Sequence, residues 1–270
     1  MTSTVVLAGC GNMGYAMLSG WVKSGRLAAS DVWVVEPNDA LRQRAAELGS
    51  HAVANSDALP GASKPTLVMF AVKPQVMRDV VAGYKRFAGG QTTFLSIAAG
   101  TPIATFEEIL GAVPVIRCMP NTPAAIGKGM MVTVANGLVT DSASDFVNGL
   151  LSASGEVAAI EDEALMDAVT AVSGSGPAYV FHFIEALTEA AGKAGLPRDT
   201  AKLLAMQTVY GAASLAAESH EEPGTLRQQV TSPNGTTAAA LSILMGEDRL
   251  TKLVGEAVEA ARLRSIELGK

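Results

Sequence analysis

The sequence predicts an α/β fold: a doubly wound, mainly parallel sheet followed by an all-helical C-terminal domain. Three observations predict it. Short apolar runs alternate with amphipathic stretches through the first half of the chain. A glycine-rich turn separates the first apolar run from the first helical pattern. After about Glu161 strand signals vanish and only helical periodicity continues.

Residues 4–8 (Thr-Val-Val-Leu-Ala) have the β-branched character of a strand, and 13–23 have helical spacing. A second strand over 31–35 precedes a helix over 40–48. Residues 66–72 are apolar enough for a strand buried on both faces, as in a parallel sheet. Strands over 93–97 and 113–117 flank a helix over 103–110. Helices then follow over 163–172, 178–194, 199–218, 236–245 and 249–268. Gly195-Leu196-Pro197 ends one helix and prepares the next.

At 270 residues the chain has material for two modest domains, placed at 1–160 and 161–270. The net charge of −6 and the lack of a basic block exclude nucleic acid as a partner. Cys10 and Cys118 have neither metal-ligand nor redox spacing, so no metal is expected. With few thiols and no targeting signature, a cytoplasmic setting is expected. The uncharged stretch 168–184 is interrupted by Ser173-Gly174-Ser175-Gly176-Pro177. It reads as a break between buried helices, not as a membrane span.

Gly9-Cys10-Gly11-Asn12-Met13-Gly14 fits G-x-G-x-x-G between a strand and a helix, the context that a dinucleotide loop requires. Gly9 permits the tight turn, Gly11 lets backbone amides approach a pyrophosphate, and Gly14 lets helix and strand pack closely. The first domain is therefore expected to be a Rossmann-type nucleotide-binding domain, not a ligand-free glycine turn. Glu36 ends the second strand, about twenty residues on, where a carboxylate accepts from ribose hydroxyls and repels a 2′-phosphate. That favours NADH over NADPH, although Glu36 also reads as the start of a Glu36-Pro37-Asn38 turn, and both cofactors stay open. Three more segments sit at strand C-terminal ends: Ala71-Val72-Lys73-Pro74, Ser96-Ile97-Ala98-Ala99-Gly100 and Met119-Pro120-Asn121-Thr122-Pro123. Lys73 reads either as a surface cap or as a partner for phosphate or carboxylate. Asn121 reads either as turn chemistry or as a hydrogen-bond partner for a carboxamide.

Near the C-terminus, Val230-Thr231-Ser232-Pro233-Asn234-Gly235-Thr236-Thr237 sets a turn directly before an Ala- and Leu-rich helix. Its first amides and the positive end of the helix dipole suit a small carboxylate.

These segments, with Ser173-Gly174-Ser175-Gly176-Pro177-Ala178-Tyr179 and Ala194-Gly195-Leu196-Pro197, give the chain a resemblance to the pyrroline-5-carboxylate reductases over nearly its whole length. The resemblance implies hydride transfer from NADH or NADPH to the C=N carbon of 1-pyrroline-5-carboxylate, yielding L-proline. It implies that Ser232, Gly235, Thr236 and Thr237 hold the substrate carboxylate, and that the Thr237 hydroxyl reaches the ring nitrogen. On the cofactor side it implies residues 9–14, Asn55, Ala71, Val72, Lys73, Pro74, Ala98 and Ala99. It further implies a homodimer or larger homo-oligomer whose helical domains interlock. The family usually has Pro-Gly-Gly where this chain has Pro233-Asn234-Gly235; Asn tolerates positive φ, which lets the turn survive.

An imine whose nitrogen can be protonated needs mainly orientation and a carboxylate anchor. His51 precedes a probable strand, His220 lies among Glu218, Glu221 and Glu222, and His182 reads as a hydrogen-bonded core residue. Glu185, Glu189 and Lys193 read as a surface charge ladder, and Met130 and Met131 as packing residues. β-Hydroxyacid dehydrogenases carry a catalytic lysine on the helix after a comparable glycine turn, and 177–183 has none. Two alternatives remain: a related imine or β-hydroxyacid oxidoreductase, and a non-catalytic NAD(P)-sensing protein.

Overall fold

The computed structural model describes residues 4–61 and 64–269. The outermost residues of the two expected domains, 1–3 and 270, lie outside that description. The described strands are β1 (Val5–Ala8), β2 (Val32–Val35), β3 (His51–Val53), β4 (Leu67–Phe70), β5 (Thr93–Ser96), β6 (Val115–Met119), β7 (Gly129–Ala135) and β8 (Gly155–Ala159). Helices of the first half are α1 (Asn12–Lys23), α2 (Asp39–Ala46), α3 (Met77–Ala82), α4 (Ile103–Leu110), α5 (Asp141–Leu151) and α6 (Met166–Val169). The second half has α7 (Gly176–Lys193), α8 (Arg198–Glu218), α9 (Pro223–Gln229), α10 (Thr236–Met245) and α11 (Arg249–Leu268).

The strands form one eight-stranded sheet in the order β3-β2-β1-β4-β5-β6-β7-β8. Pairing is parallel from β3 through to β6, antiparallel between β6 and β7, and parallel between β7 and β8. The order reverses at β1 and β4, the crevice where open sheets of this class take ligands. β1 and β4 are buried at every position because helices cover both faces, which explains their unbroken apolar sequence. One core cluster holds Leu7, Trp21, Val34, Met69 and Leu151; the other holds Val6, Phe70, Tyr84, Phe94 and Phe106. Burying each such side chain contributes roughly 1.5–3 kcal/mol.

The structure adds β3, β7, β8, α3, α5 and α9 to the elements expected, and His51 is the first residue of β3 instead of preceding it. β7 is hidden in the sequence because Met130 and Met131 read as packing residues, and β8 because its residues are mostly exposed or half-buried. Two compact units emerge: residues 1–175 with 261–270, and residues 176–260. The expected division at 160/161 follows the end of the sheet at Ala159, whereas the first unit retains α6, a π-helical turn over Thr170–Gly174 and the end of α11.

Specific polar contacts hold those additions in the first unit. Arg117 Nη1 on β6 pairs with Glu163 Oε1 at 2.9 Å, and the Ile103 N–H donates to the same oxygen at 2.9 Å. The Arg117 side chain is only 8% exposed, so removing Glu163 would strand a buried charge. Ser265 Oγ on α11 donates to Asp167 Oδ1 on α6 at 2.6 Å.

Candidate functional site

The nucleotide turn follows from how closely α1 approaches β1. Gly9 has φ +91°, and a Cβ there would stand 2.8 Å from the Ala71 carbonyl oxygen and the Val72 side chain. A Cβ at Gly14 would overlap the Gly9 carbonyl oxygen. Gly11 is the opposite case: a Cβ would meet nothing within 4 Å, so its backbone faces open space. α1 starts at Gly11 with no side-chain cap, and its first internal bond is Tyr15 N–H to the Gly11 carbonyl. The amides of Asn12, Met13 and Gly14 therefore have no acceptor within the helix. Two glycines close the turn while the third leaves room beside free amides, an arrangement that fits a pyrophosphate.

Glu36 is 6% exposed and fixes this turn from the end of β2. Its Oε2 accepts from Cys10 N–H at 2.8 Å and its Oε1 from Asn38 N–H at 3.0 Å. Each oxygen keeps a further lone pair for a ribose hydroxyl. Arg42 donates to the Glu36 carbonyl at 2.8 Å and pairs with Asp39. Arg44 donates to the Cys10 carbonyl at 3.3 Å and lies 3.8 Å over the Tyr15 ring. Arg44 is thus tied to the nucleotide turn's own backbone, and Arg42 to the backbone of Glu36 and Pro37. Burial pushes the Cys10 thiol up to about 11, so it stays protonated and unreactive at neutral pH.

Two cavities open along the strand ends of this unit. The first, about 390 Å³, touches Gly9, Val35, Pro37, Asn55, Val72 and Tyr84. Asn55 caps the turn that follows β3, its Oδ1 accepting from Ala58 N–H at 3.1 Å. The second, about 290 Å³, touches Pro74, Ala99, Gly100, Thr170, Ser175 and Ser265. Ala98 is buried beside it in sequence, and its N–H reaches Ser96 Oγ at 3.3 Å. Lys73 is exposed and precedes a 3-10 turn without capping it. Nothing in the sequence pointed to Tyr84, which looks there like one more apolar position.

Asn121, which the sequence leaves open as turn chemistry or as a carboxamide partner, bonds within the unit. Its Nδ2 donates to the Ser173 carbonyl at 3.0 Å and its Oδ1 accepts from Met130 N–H at 2.9 Å. Both ends of the amide are engaged, joining the end of β6 to β7 and to the π-helical turn. Only tertiary placement reveals that role.

In the second unit, Ser232-Pro233-Asn234-Gly235 forms a turn closed by Gly235 N–H to the Ser232 carbonyl at 3.0 Å. Pro233 sits at its second position and Asn234, with φ +59°, at its third, the pattern of a type II turn. The Asn234 substitution therefore leaves the turn intact. Gly235 caps α10 without a side-chain bond, and the first internal bond is Ala239 N–H to the Gly235 carbonyl. The amides of Thr236, Thr237 and Ala238 are left free at the positive end of the helix. The hydroxyls of Ser232, Thr236 and Thr237 have no partner among the described residues.

The rest of this unit departs from the buried helices expected. α7 and α10 have no buried residue, and Phe181, Leu203, Tyr210 and Ile243 are each about 60% exposed or more. His182 is not a core residue: its side chain is 83% exposed and meets Glu185 at 3.2 Å. The charge ladder continues with Lys193 to Glu189 at 2.6 Å, which holds the Glu189 carboxyl below its ordinary range.

The chain is 40% identical over 274 residues to the pyrroline-5-carboxylate reductase of Pseudomonas aeruginosa, spanning 100% of this chain and 98% of that one. It belongs to the pyrroline-5-carboxylate reductase family. The Pisum sativum reductase is 38% identical over 98% of this chain and 96% of its own. The solved pyrroline-5-carboxylate reductase of Coxiella burnetii superposes with a TM-score of 0.94 at 33% identity, covering 100% of both chains. A pyrroline carboxylate reductase of Plasmodium falciparum, solved with NADP bound, gives 0.83 at 29% identity over 99% and 98%. A family model described as pyrroline-5-carboxylate reductase dimerisation matches residues 163–268, and one described as coenzyme F420-dependent NADP oxidoreductase matches 4–100. The first unit is an NAD(P)-binding fold, and membership of this reductase family gives the exposed helices of the second unit their reason. The matched dimerisation region spans these helices, and the protein is a homo-oligomer. Among the described residues no helix is long and apolar enough to cross a membrane, and no cluster of His, Cys, Asp or Glu has metal-binding geometry.

Proposed function

We propose that this protein reduces 1-pyrroline-5-carboxylate to L-proline, with NADH preferred over NADPH. The end-to-end similarity to the Pseudomonas aeruginosa reductase carries the reading. The reduced nicotinamide, when bound, supplies the hydride that attacks the imine carbon.

The chain's own residues do the rest. The turn of Gly9, Cys10, Gly11, Asn12, Met13 and Gly14 holds the pyrophosphate through its unengaged amides. Those of Gly9 and Cys10 are tied to Val35 and Glu36, and Glu36 takes the adenosine ribose. Asn55 and residues 71–74 line the nucleotide's path, while the small side chains of Ala98 and Ala99 leave space for a planar ring. The free amides of Thr236 and Thr237, on the turn that Gly235 closes, hold the carboxylate together with the Ser232 hydroxyl. The Thr237 hydroxyl hydrogen-bonds the ring nitrogen, fixing the imine and easing its protonation. Anchoring one end of a small rigid ring restricts it to few orientations, and orientation is the main demand of this chemistry.

Preference for NADH is supported by the Glu36 carboxylate, whose charge opposes a 2′-phosphate, and by the engagement of Arg42 and Arg44 with backbone carbonyls. A homodimer is supported by the apolar faces of α7, α8 and α10. Cys10 and Cys118, both free thiols, suit a reducing compartment such as the cytoplasm.

The test is the loss of absorbance of NADH and of NADPH with pyrroline-5-carboxylate, with a hydroxyacid and oxidised cofactor as the control. Imine-dependent oxidation is expected with both, at a lower KM for NADH. No turnover of the imine by folded protein would sink the function, and a lower KM for NADPH would sink the preference alone.

A further inference from the structure

We propose that Asn121 is a positioning residue for hydride transfer. By holding the Ser173 carbonyl it fixes the π-helical turn that walls the cavity beside Ala99, where the planar ring of the cofactor lies. The inference rests on the reductase reading above. The turn needs support from outside for a reason already present in the sequence. In a regular helix the Ser173 carbonyl would take the N–H four residues on, but that residue is Pro177, which has none. The ladder is also widened here, Ser175 N–H reaching back five residues to the Thr170 carbonyl at 2.8 Å. Widened turns of this kind are rare and concentrate at functional sites.

The support comes from the end of β6. Asn121 Nδ2 donates to the Ser173 carbonyl at 3.0 Å, while Met130 N–H on β7 fixes its Oδ1 at 2.9 Å. Met119 reaches the same turn, since a Cβ at Gly174 would stand 2.6 Å from its Cε. Two hydroxyls of the turn bond back along the helix, Thr170 Oγ1 to the Met166 carbonyl at 2.8 Å and Ser173 Oγ to the Val169 carbonyl at 3.0 Å. The Asn121 bond runs the other way, from the helix to the sheet. Thr170 and Ser175, at either end of the turn, line the cavity of about 290 Å³ with Pro74, Ala99 and Gly100. Pro74 follows β4 and Ala99 follows β5, so the sheet sets one side of this cavity and the turn another. Hydride transfer is sensitive to the placement of its donor, and a shift of about 1 Å can cost about a hundredfold in rate. A turn that loosens from β6 changes that placement without touching the nucleotide loop at residues 9–14.

The experiment compares the whole protein with Asn121→Asp, which keeps an acceptor for Met130 N–H and removes the donor to Ser173. Three quantities are measured: hydrogen exchange of the Ser175 amide without ligand, calorimetric affinity for ADP-ribose, and single-turnover oxidation of NADH by saturating 1-pyrroline-5-carboxylate. Exchange at Ser175 is expected to quicken about tenfold as the turn loses its support. The single-turnover rate constant is expected to fall about tenfold or more, with its amplitude and the ADP-ribose affinity held within about twofold. Unchanged exchange at Ser175, or an unchanged rate constant, would overturn the assignment. So would a smaller amplitude at the original rate constant, since that counts fewer folded sites and marks the bond as structural alone. Asn121→Ala loses both bonds and is expected to share the slow rate constant; a normal one there overturns the assignment even if the aspartate variant does not fold. If the unmodified protein oxidises no NADH with the imine, the reductase reading itself fails and takes this inference with it.

Discussion

Two helix starts in this molecule use the same physical device under very different constraint. The glycine turn opening α1 and the Pro-Asn-Gly turn opening α10 both present unpaired backbone amides with no side-chain cap. α1 buries Gly14, Met17, Leu18, Ser19 and Trp21 against the sheet, whereas α10 buries nothing within its own unit. The first turn is therefore fixed by backbone packed on backbone, and glycine is required where α1 meets β1. The second is fixed by local turn chemistry, and there a positive φ is met by asparagine. Anion binding at a helix start needs free amides; it does not by itself need glycine. How close the surroundings approach decides that.

The comparison breaks most severely at Gly14. Gly14→Ala places a methyl group against the Gly9 carbonyl, so either α1 or the turn must shift. Affinity for NADH is expected to fall by about a hundredfold, on the scale of a lost tight glycine contact in this motif. Titration of the intact protein by nucleotide fluorescence checks it, and affinity within a few-fold of the original would mean that the turn is not held by packing.

Thr237→Ala tests the other turn with a smaller effect. Removing the hydroxyl takes away one charge-assisted contact, so kcat/KM for the imine should drop about ten- to a hundredfold. NADH affinity should be unchanged, because no residue of the nucleotide turn is touched. Loss of both together would show that the two turns do not divide the work as proposed.

Much of this division was legible in the sequence. Strand 67–70 announces itself because burial on both faces demands an unbroken apolar run, and the two turns announce themselves through Gly, Pro and Asn. Other features were hidden for physical reasons. β7 pairs antiparallel with β6 and carries methionines that serve strand and core alike. The engagement of Asn121 with Ser173 joins residues far apart in sequence, which no local pattern encodes. The exposed faces of α7 and α10 misled in the other direction: helices that look buried in sequence are left open by the single chain, within the stretch that the dimerisation model matches. His182, read as a core residue by the same logic, lies on that open surface.

The smallest expected effect is at Asn234, and it sharpens the comparison most. If local turn chemistry alone governs this start, the order of tolerance follows the cost of positive φ: glycine and asparagine low, alanine higher by about 1 kcal/mol. Asn234→Gly should leave KM for the imine within about threefold, since the backbone it allows is the one already present. Asn234→Ala should raise KM by about fivefold, the strain of holding φ positive being drawn from carboxylate binding. Both should leave NADH affinity alone. If instead glycine alters KM as much as alanine does, the asparagine side chain itself contacts the substrate. The second turn would then be as exacting as the first, through its side chain and not through its backbone.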